Sequence, residues 1–268
     1  MSAAAEFPFD IAVVGLGITG VHHITREAGE TLRRCRRTFA ADSTPGVLAY
    51  LRTVSPDVAD LSGHFTPAVH RASSYQAIAS EVVAAAVEEA PVCFATYGHP
   101  KMYSYPTVLI QRAAAILDLR VRLLPGISFL DTLLADLGID PGFDGLQLYE
   151  ATDLLVRRRP LQPDVACVIA QAPTVLSPAA GQAAEAPANL ARLQDYLLGF
   201  YPAEHDVVIV TSRVHPLLAP LLQRTRIGLL ANALARASQS GTLYIPPVGR
   251  RPVADQELAD IMRRASDE

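Results

Sequence analysis

The chain has 268 residues, half of them hydrophobic, with a formal net charge of −4 and three cysteines. That length suits one large α/β domain or two of ordinary size, and the mild acidity gives no electrostatic footprint for nucleic acid. The opening stretch MSAAAEFPFD has no positive region before an apolar segment, so it does not read as a secretory signal. No apolar run approaches the length of a membrane span. Cys35, Cys93 and Cys167 lie at no metal-ligand or CxxC spacing. Cys93 and Cys167 fall inside apolar runs and read as small core residues in a reducing, cytoplasmic compartment. The basic runs at 33–37 and 157–159 are short and read as solvated faces or element ends.

In chain order, residues 11–15, IAVVG, are a β-branched run ending in glycine, a strand signal. Apolar residues then recur at helical spacing across 21–37, at Ile24, Ala28, Leu32 and Cys35. Residues 39–42 predict a second strand, 76–90 an Ala/Val-rich helix and 92–96 a buried strand. A helix over 106–117 carries Pro106 in its first turn, and a strand over 120–124 is closed by Pro125-Gly126. Strands alternating with helices predict a mainly parallel sheet. Further along, 129–137, 190–200 and the Ala/Leu-rich 226–237 predict helices, while 146–149, 165–170, 206–211 and 242–245 predict strands. Residues 172–189, rich in Ala, Pro and Gly, predict a loose surface loop. A short amphipathic helix is expected over 254–265. The change of pattern near Pro125 divides the chain into an N-terminal α/β domain of residues 1–124, a C-terminal α/β domain of 125–247 and a helical tail of 248–268.

Three clusters carry chemistry. Gly15-Leu16-Gly17-Ile18-Thr19-Gly20 follows a strand with the spacing G-x-G-x-x-G, and Asp42 closes the next strand. This fits a dinucleotide fingerprint, in which glycines admit pyrophosphate to backbone amides; it fits any tight strand-to-helix turn as well. Tyr97-Gly98-His99-Pro100 lies past the 92–96 strand, where open α/β sheets bind ligands. A plain turn with one satisfied histidine is the alternative there. In LLPGISFLDTLLADLGIDP, residues 123–141, Pro125-Gly126 makes a turn and Ser128 is placed to cap a helix.

Taken in order, the strand–GxG loop, the strand–YGHP loop and the PGIS turn resemble the tetrapyrrole-methylase superfamily over nearly the whole chain. Within it, YGHP, LLPGIS followed by FLDTLLADLGIDP, LYEATDLLVRRRP, the Gln171 that ends VIAQ, and TLYIPP resemble the borosin peptide α-N-methyltransferases. The resemblance implies an α/β class III methyltransferase fold: two α/β domains with S-adenosyl-L-methionine in the cleft between them. It also implies methylation of backbone amides in a ribosomally made peptide, and an intertwined homodimer, which the apolar composition and the 226–237 segment also favour. By the same resemblance Tyr97 would touch both cofactor and target amide, and His99 and Met102 would contact the cofactor. Ser128, Phe129, Gln171, Ser212 and Thr242 would complete the pocket from the second domain. Self-modifying borosins continue into a clasp and a core peptide. Here TLYIPP is followed by a charged tail ending RRASDE, so the chain resembles the split type, expected to act on a separate precursor.

An amide nitrogen is a poor nucleophile because its lone pair is delocalised. Methylating it requires removing its proton or stabilising the imidate form, with the nitrogen held in line. In Arg71-Ala72-Ser73-Ser74-Tyr75 the i, i+4 spacing puts Arg71 and Tyr75 on one helix face. The guanidinium is expected to lower the tyrosine's pKa and to hold charge on the amide oxygen, leaving Tyr75 as general base. These two match the borosin catalytic arginine and tyrosine. Just upstream, where borosins often carry tyrosines, the chain reads Leu61-Ser62-Gly63-His64-Phe65, with His64 and His70 as alternative proton handlers. Other readings stay open on the residues alone. One is a small-molecule tetrapyrrole-type methylase, which needs neither the Arg71/Tyr75 pair nor YEATD. Another is an NAD(P)-dependent oxidoreductase built on GLGITG and Asp42, and a third is a non-catalytic module that keeps the cofactor fold.

Overall fold

A computed structural model describes residues 8–42, 44–66, 69–179 and 187–264. The start of MSAAAEFPFD, residues 180–186 of the expected loop and the end of the tail lie outside them. The first half alternates β1 (Ile11–Gly15), α1 (Arg26–Arg34), β2 (Arg37–Ala41), α2 (Val47–Val54), β3 (Val58–Asp60), α3 (Arg71–Glu89), β4 (Val92–Thr96), α4 (Tyr105–Ile116) and β5 (Val121–Leu124). The sheet order is β3-β2-β4-β1-β5 and every pairing is parallel. Both faces are covered, which is why β1 and β4 are buried throughout and, Thr96 apart, carry no polar side chain, rather than alternating. On one face Ile11, Val13, Phe39 and Phe94 pack with Ile78, Val82 and Ile110 of α3 and α4. On the other, Ala12, Val14, Ala40 and Cys93 pack with Leu32 and Leu51 of α1 and α2. Phe39 and Phe94 are fully buried, each worth about 1.5–3 kcal/mol of transfer free energy.

The second half runs α5 (Phe129–Leu137), α6 (Pro141–Asp144), β6 (Leu146–Glu150), α7 (Ala151–Val156), β7 (Ala166–Ala170), α8 (Pro187–Leu198), β8 (Asp206–Thr211), β9 (Leu221–Arg226), α9 (Leu230–Leu234), β10 (Thr242–Ile245) and α10 (Gln256–Arg264). Its sheet order is β6-β7-β10-β8-β9. This sheet is mixed, a departure from the expected parallel arrangement: only β6 and β7 are parallel, because β10 returns antiparallel between β7 and β8. The expected helix over 226–237 is also corrected. Its first residue ends β9, and the short α9 buries Leu230, Ala233 and Leu234 in the chain's own core. Residues 172–179 are not a surface loop either. Ala172, Thr174, Val175, Ser177 and Ala179 are buried, and the Leu176 amide donates to Thr152 Oγ1 at 3.0 Å.

Where the two halves meet, three glycines at or just past strand ends touch backbone to backbone. A Cβ on Gly15 would lie 2.5 Å from the Gly98 oxygen and 2.8 Å from Gly126, and one on Gly126 would meet the same oxygen at 2.5 Å. Gly17 and Gly98 exchange amide hydrogen bonds at 3.2 and 2.9 Å. The strand-end loops of β1, β4 and β5 are thereby stacked against one another, and the site stands on that stack.

Candidate functional site

Just beyond the stack lies a cavity of about 320 Å³, within the range of about 300–1,000 Å³ usual for small-molecule sites. The first half supplies Tyr97, His99 and Met102 to its wall; the second supplies Phe129, Gln171 and Thr242. Six of the eight expected cofactor residues therefore meet in one place. The Ser128 hydroxyl is instead engaged in an N-terminal capping box of α5, where its amide and Oγ both donate to Asp131 Oδ2 at 2.6 Å. Ser212 donates to Thr132 Oγ1 at 3.0 Å and lines a smaller recess bordered also by Tyr97, Phe129 and Thr242. Gln171 adopts a left-handed conformation, φ 57°, directly after β7, an uncommon backbone state for a residue other than glycine and one that concentrates at functional positions.

Arg71 and Tyr75 sit in the first turns of α3, which begins five residues earlier than the Ala/Val pattern suggested because His70 caps it: its Nδ1 accepts from the Ala72 amide at 3.2 Å. Both residues line the first cavity and also a second one of about 460 Å³ that opens outward past Tyr103, Ser104 and Glu150. Arg71 is held by the buried segment after β7: its amide donates to the Pro178 carbonyl at 2.8 Å and its guanidinium to the Ser177 carbonyl. Burial raises the Tyr75 phenol above its ordinary value; Arg71 opposes this, and the nearby Glu150 charge adds to it. The expected lowering by Arg71 is thus present but outweighed. Burial also pushes Tyr97 up to about 12, with the Asp42 charge contributing.

Around Tyr75 the rings are close: Phe65 at 6.5 Å edge-on and Tyr105 at 6.0 Å. Phe65 lines the first cavity. His64 turns away to Glu81, 3.1 Å from its carboxylate, and His70 faces the outer cavity only. Tyr103, Tyr105 and Glu150 are wall residues that the sequence reading passed over. YEATD was visible as a motif, but nothing local showed which of its side chains faces the site.

The dinucleotide reading of GLGITG fails on two counts. β1 lies between β4 and β5, whereas the dinucleotide fold places its first strand between the second and fourth. The Ile18 and Thr19 amides, which a pyrophosphate would need, both donate to His23 Nδ1 at 3.2 Å. Burial and the nearby Arg213 and His22 lower the pKa of that imidazole, so it stays a neutral acceptor. Gly17, at φ +77°, is required because a Cβ there would meet His23 Cβ at 2.1 Å.

Comparison with known proteins bears on the family and the fold. The model of the tetrapyrrole (corrin/porphyrin) methylases matches residues 10–225. A methyltransferase and ribosomally synthesized cyclic peptide precursor of the gymnopeptides from Gymnopus fusipes is 30% identical over 259 residues, 95% of this chain and 60% of that protein. The omphalotin A counterpart from Omphalotus olearius is 28% identical over 256 residues, again 95% of this chain and 60% of the relative. The chain thus spans about 60% of the length of these two relatives. Among solved structures, uroporphyrin-III-C-methyltransferase from Thermus thermophilus superposes with a TM-score of 0.63 at 18% identity, over 89% of this chain and 92% of that one; this is a likeness of fold. With the matched family model covering the first sheet, the second sheet up to β9 and most of the cavity wall, the chain belongs to the tetrapyrrole methylases, a family of S-adenosyl-L-methionine-dependent methyltransferases.

Proposed function

We propose that this chain is a peptide backbone N-methyltransferase, a homodimer that acts on amides of a separate, ribosomally made precursor. The observation that carries the reading is the shared wall. Arg71 and Tyr75 border both the inner, cofactor-sized cavity and the outer groove, so a chain lying in the groove presents an amide to both at once. The names of the Gymnopus and Omphalotus relatives support the same class. In this reading residues 1–124 and 125–247 are the two domains and 248–268 the tail.

The inner walls suit S-adenosyl-L-methionine. They are mainly apolar and carry several aromatic rings, whose faces attract a cation such as a sulfonium. We assign Tyr97, His99, Met102, Phe129, Gln171 and Thr242 to hold it, with Ser128 and Ser212 behind that wall. When bound, it supplies an electrophilic methyl group. Tyr97 borders the cofactor and the incoming amide. Arg71 has five N–H donors, so the donor given to Ser177 leaves others for the amide oxygen. Charge stabilised there weakens the amide N–H, and Tyr75 as phenolate takes the proton.

The test pairs calorimetry with mass spectrometry. S-adenosylmethionine and its demethylated product should bind, and NAD should not. A randomised synthetic peptide library incubated with deuterated-methyl cofactor should gain label on backbone nitrogens. Cofactor binding with no labelled peptide would return the chain to the small-molecule methylases. Binding of NAD alone would end the methyltransferase reading.

A further inference from the structure

Tyr103 borders more of the site than any residue named so far. It lines the inner cavity, the outer groove and a third adjoining cavity of about 450 Å³ walled by Leu148, Tyr149, Glu150, Asp153 and Arg159. Its backbone is left-handed at φ 57°, which for a bulky side chain is a true outlier and marks positions where function sets the conformation. Its ring leans on Phe129 of the opposite half, 5.9 Å between centroids and tilted 30°. Its hydroxyl has no hydrogen-bond partner among the described residues, and the residue is 39% exposed.

We propose that Tyr103 is a positioning residue of the peptide site: its ring partitions the inner cavity from the groove, and its hydroxyl donates to a backbone carbonyl of the bound peptide. That contact holds one amide at a fixed distance from Arg71 and Tyr75. It reads main chain rather than side chain, so it steadies whichever amide is presented without demanding a particular residue. The peptide then leaves over Tyr103 into the third cavity, where Asp153 and Arg159 flank the next residue. Burial and the charges of Glu150 and Asp153 push the phenol up to about 12, so it remains a donor across the working pH range. The inference rests on the peptide reading given above.

The experiment uses the full chain, S-adenosylmethionine and the best-labelled sequence from the randomised library. Tyr103→Phe removes only the hydroxyl. Tyr103→Gly removes the ring and suits the left-handed backbone, so its melting temperature should hold or rise. Both should bind S-adenosylmethionine within about twofold of the parent by calorimetry. For Tyr103→Phe, KM for the peptide should rise roughly five- to tenfold with kcat within about twofold, as expected for one lost hydrogen bond made equally in ground and transition states. For Tyr103→Gly, tandem mass spectrometry should find methyl groups spread to neighbouring nitrogens. Unchanged KM and an unchanged methylation pattern in both variants would overturn the proposal. So would loss of S-adenosylmethionine binding in Tyr103→Gly, which would make Tyr103 a cofactor wall. A parent that binds cofactor but labels no library peptide would remove the peptide reading itself, and this inference with it.

Discussion

As the proposed base, Tyr75 would have to lose a proton to act, and its surroundings resist that, since burial and Glu150 together outweigh Arg71. A base whose pKa lies above its ordinary value is mostly protonated at neutral pH. Methyl transfer should therefore climb with pH and show no plateau below the ordinary tyrosine value of about 10. A rate profile that flattens near pH 7 would point to a different base. Tyr75→Phe keeps the ring between Phe65 and Tyr105 and removes only the hydroxyl. It should cost roughly 10²–10⁴ in rate with cofactor affinity unchanged, and Arg71→Lys should also be severely impaired because the ammonium lacks the planar fork. Near-normal labelling by Tyr75→Phe would shift the role to Tyr97 or a water. Asp42 makes a separate prediction. Its Oδ1 accepts from the Thr44 amide at 2.7 Å, its Oδ2 has no partner among the described residues, and burial raises its carboxyl. A raised folded-state value means the group's stability contribution is full below the unfolded value near 3.8 and is lost as pH rises through the folded one. Asp42→Asn keeps the acceptor and removes the charge. It should melt higher than the parent at pH 7, with the gap closing by pH 4; equal melting at both values would show that Asp42 is ionised at little cost.

At the scale of elements, the three stacked loops depend on having no side chain. Gly126→Ala would push a methyl group into the Gly98 carbonyl at 2.5 Å and the Gly15 carbonyl carbon at 2.7 Å, both main chain and unable to yield by a rotamer change. Overpacking of this kind costs about 1–3 kcal/mol, several degrees of melting temperature in a chain of this size. Gly63→Ala, with nothing within 4 Å, is the control and should melt as the parent does. Equal melting of the two would mean the loops separate more easily than the contact implies. The same loops show why the site was partly legible in the sequence. YGHP and PGIS are contiguous, and strand-end position carries them to the cleft whatever the rest of the chain does. Arg71 and Tyr75 were legible through one helical turn. The partner of Arg71 was not, since the Ser177 carbonyl comes from a buried segment 106 residues away whose Ala/Pro composition reads as loop. Nor was the fate of 226–237: Ile227, Leu230, Ala233 and Leu234 do recur at helical spacing, but the structure meets that pattern with one 3₁₀ turn and a five-residue helix.

For the molecule as a whole, the proposed homodimer needs an apolar surface other than 226–237, whose buried side chains pack inward. Val214, Leu217, Leu218 and Leu221 offer one: they are exposed and lead into β9, the outer strand of the second sheet. An interface of ordinary specificity buries at least about 1,000 Å², and Leu217→Glu with Leu218→Glu should shift the mass seen by light scattering from dimer to monomer at micromolar concentration. A parent already monomeric there would refute the dimer. The placement of β10 has a consequence for how the protein is made. The first sheet draws all its strands from residues 11–124, so it can close while the ribosome is still translating the second half. The second sheet cannot close, because the strand that joins β7 to β8 is the last of the ten among the described residues to emerge. Until Thr242–Ile245 clears the exit tunnel, the edges of β7 and β8 face water unpaired, a state prone to wrong strand pairing. Thr242, one wall of the inner cavity, arrives with that strand. Nascent chains stalled at successive lengths should gain protease protection in two steps, the first half early and the second only with β10, and cofactor capture should begin at the second step.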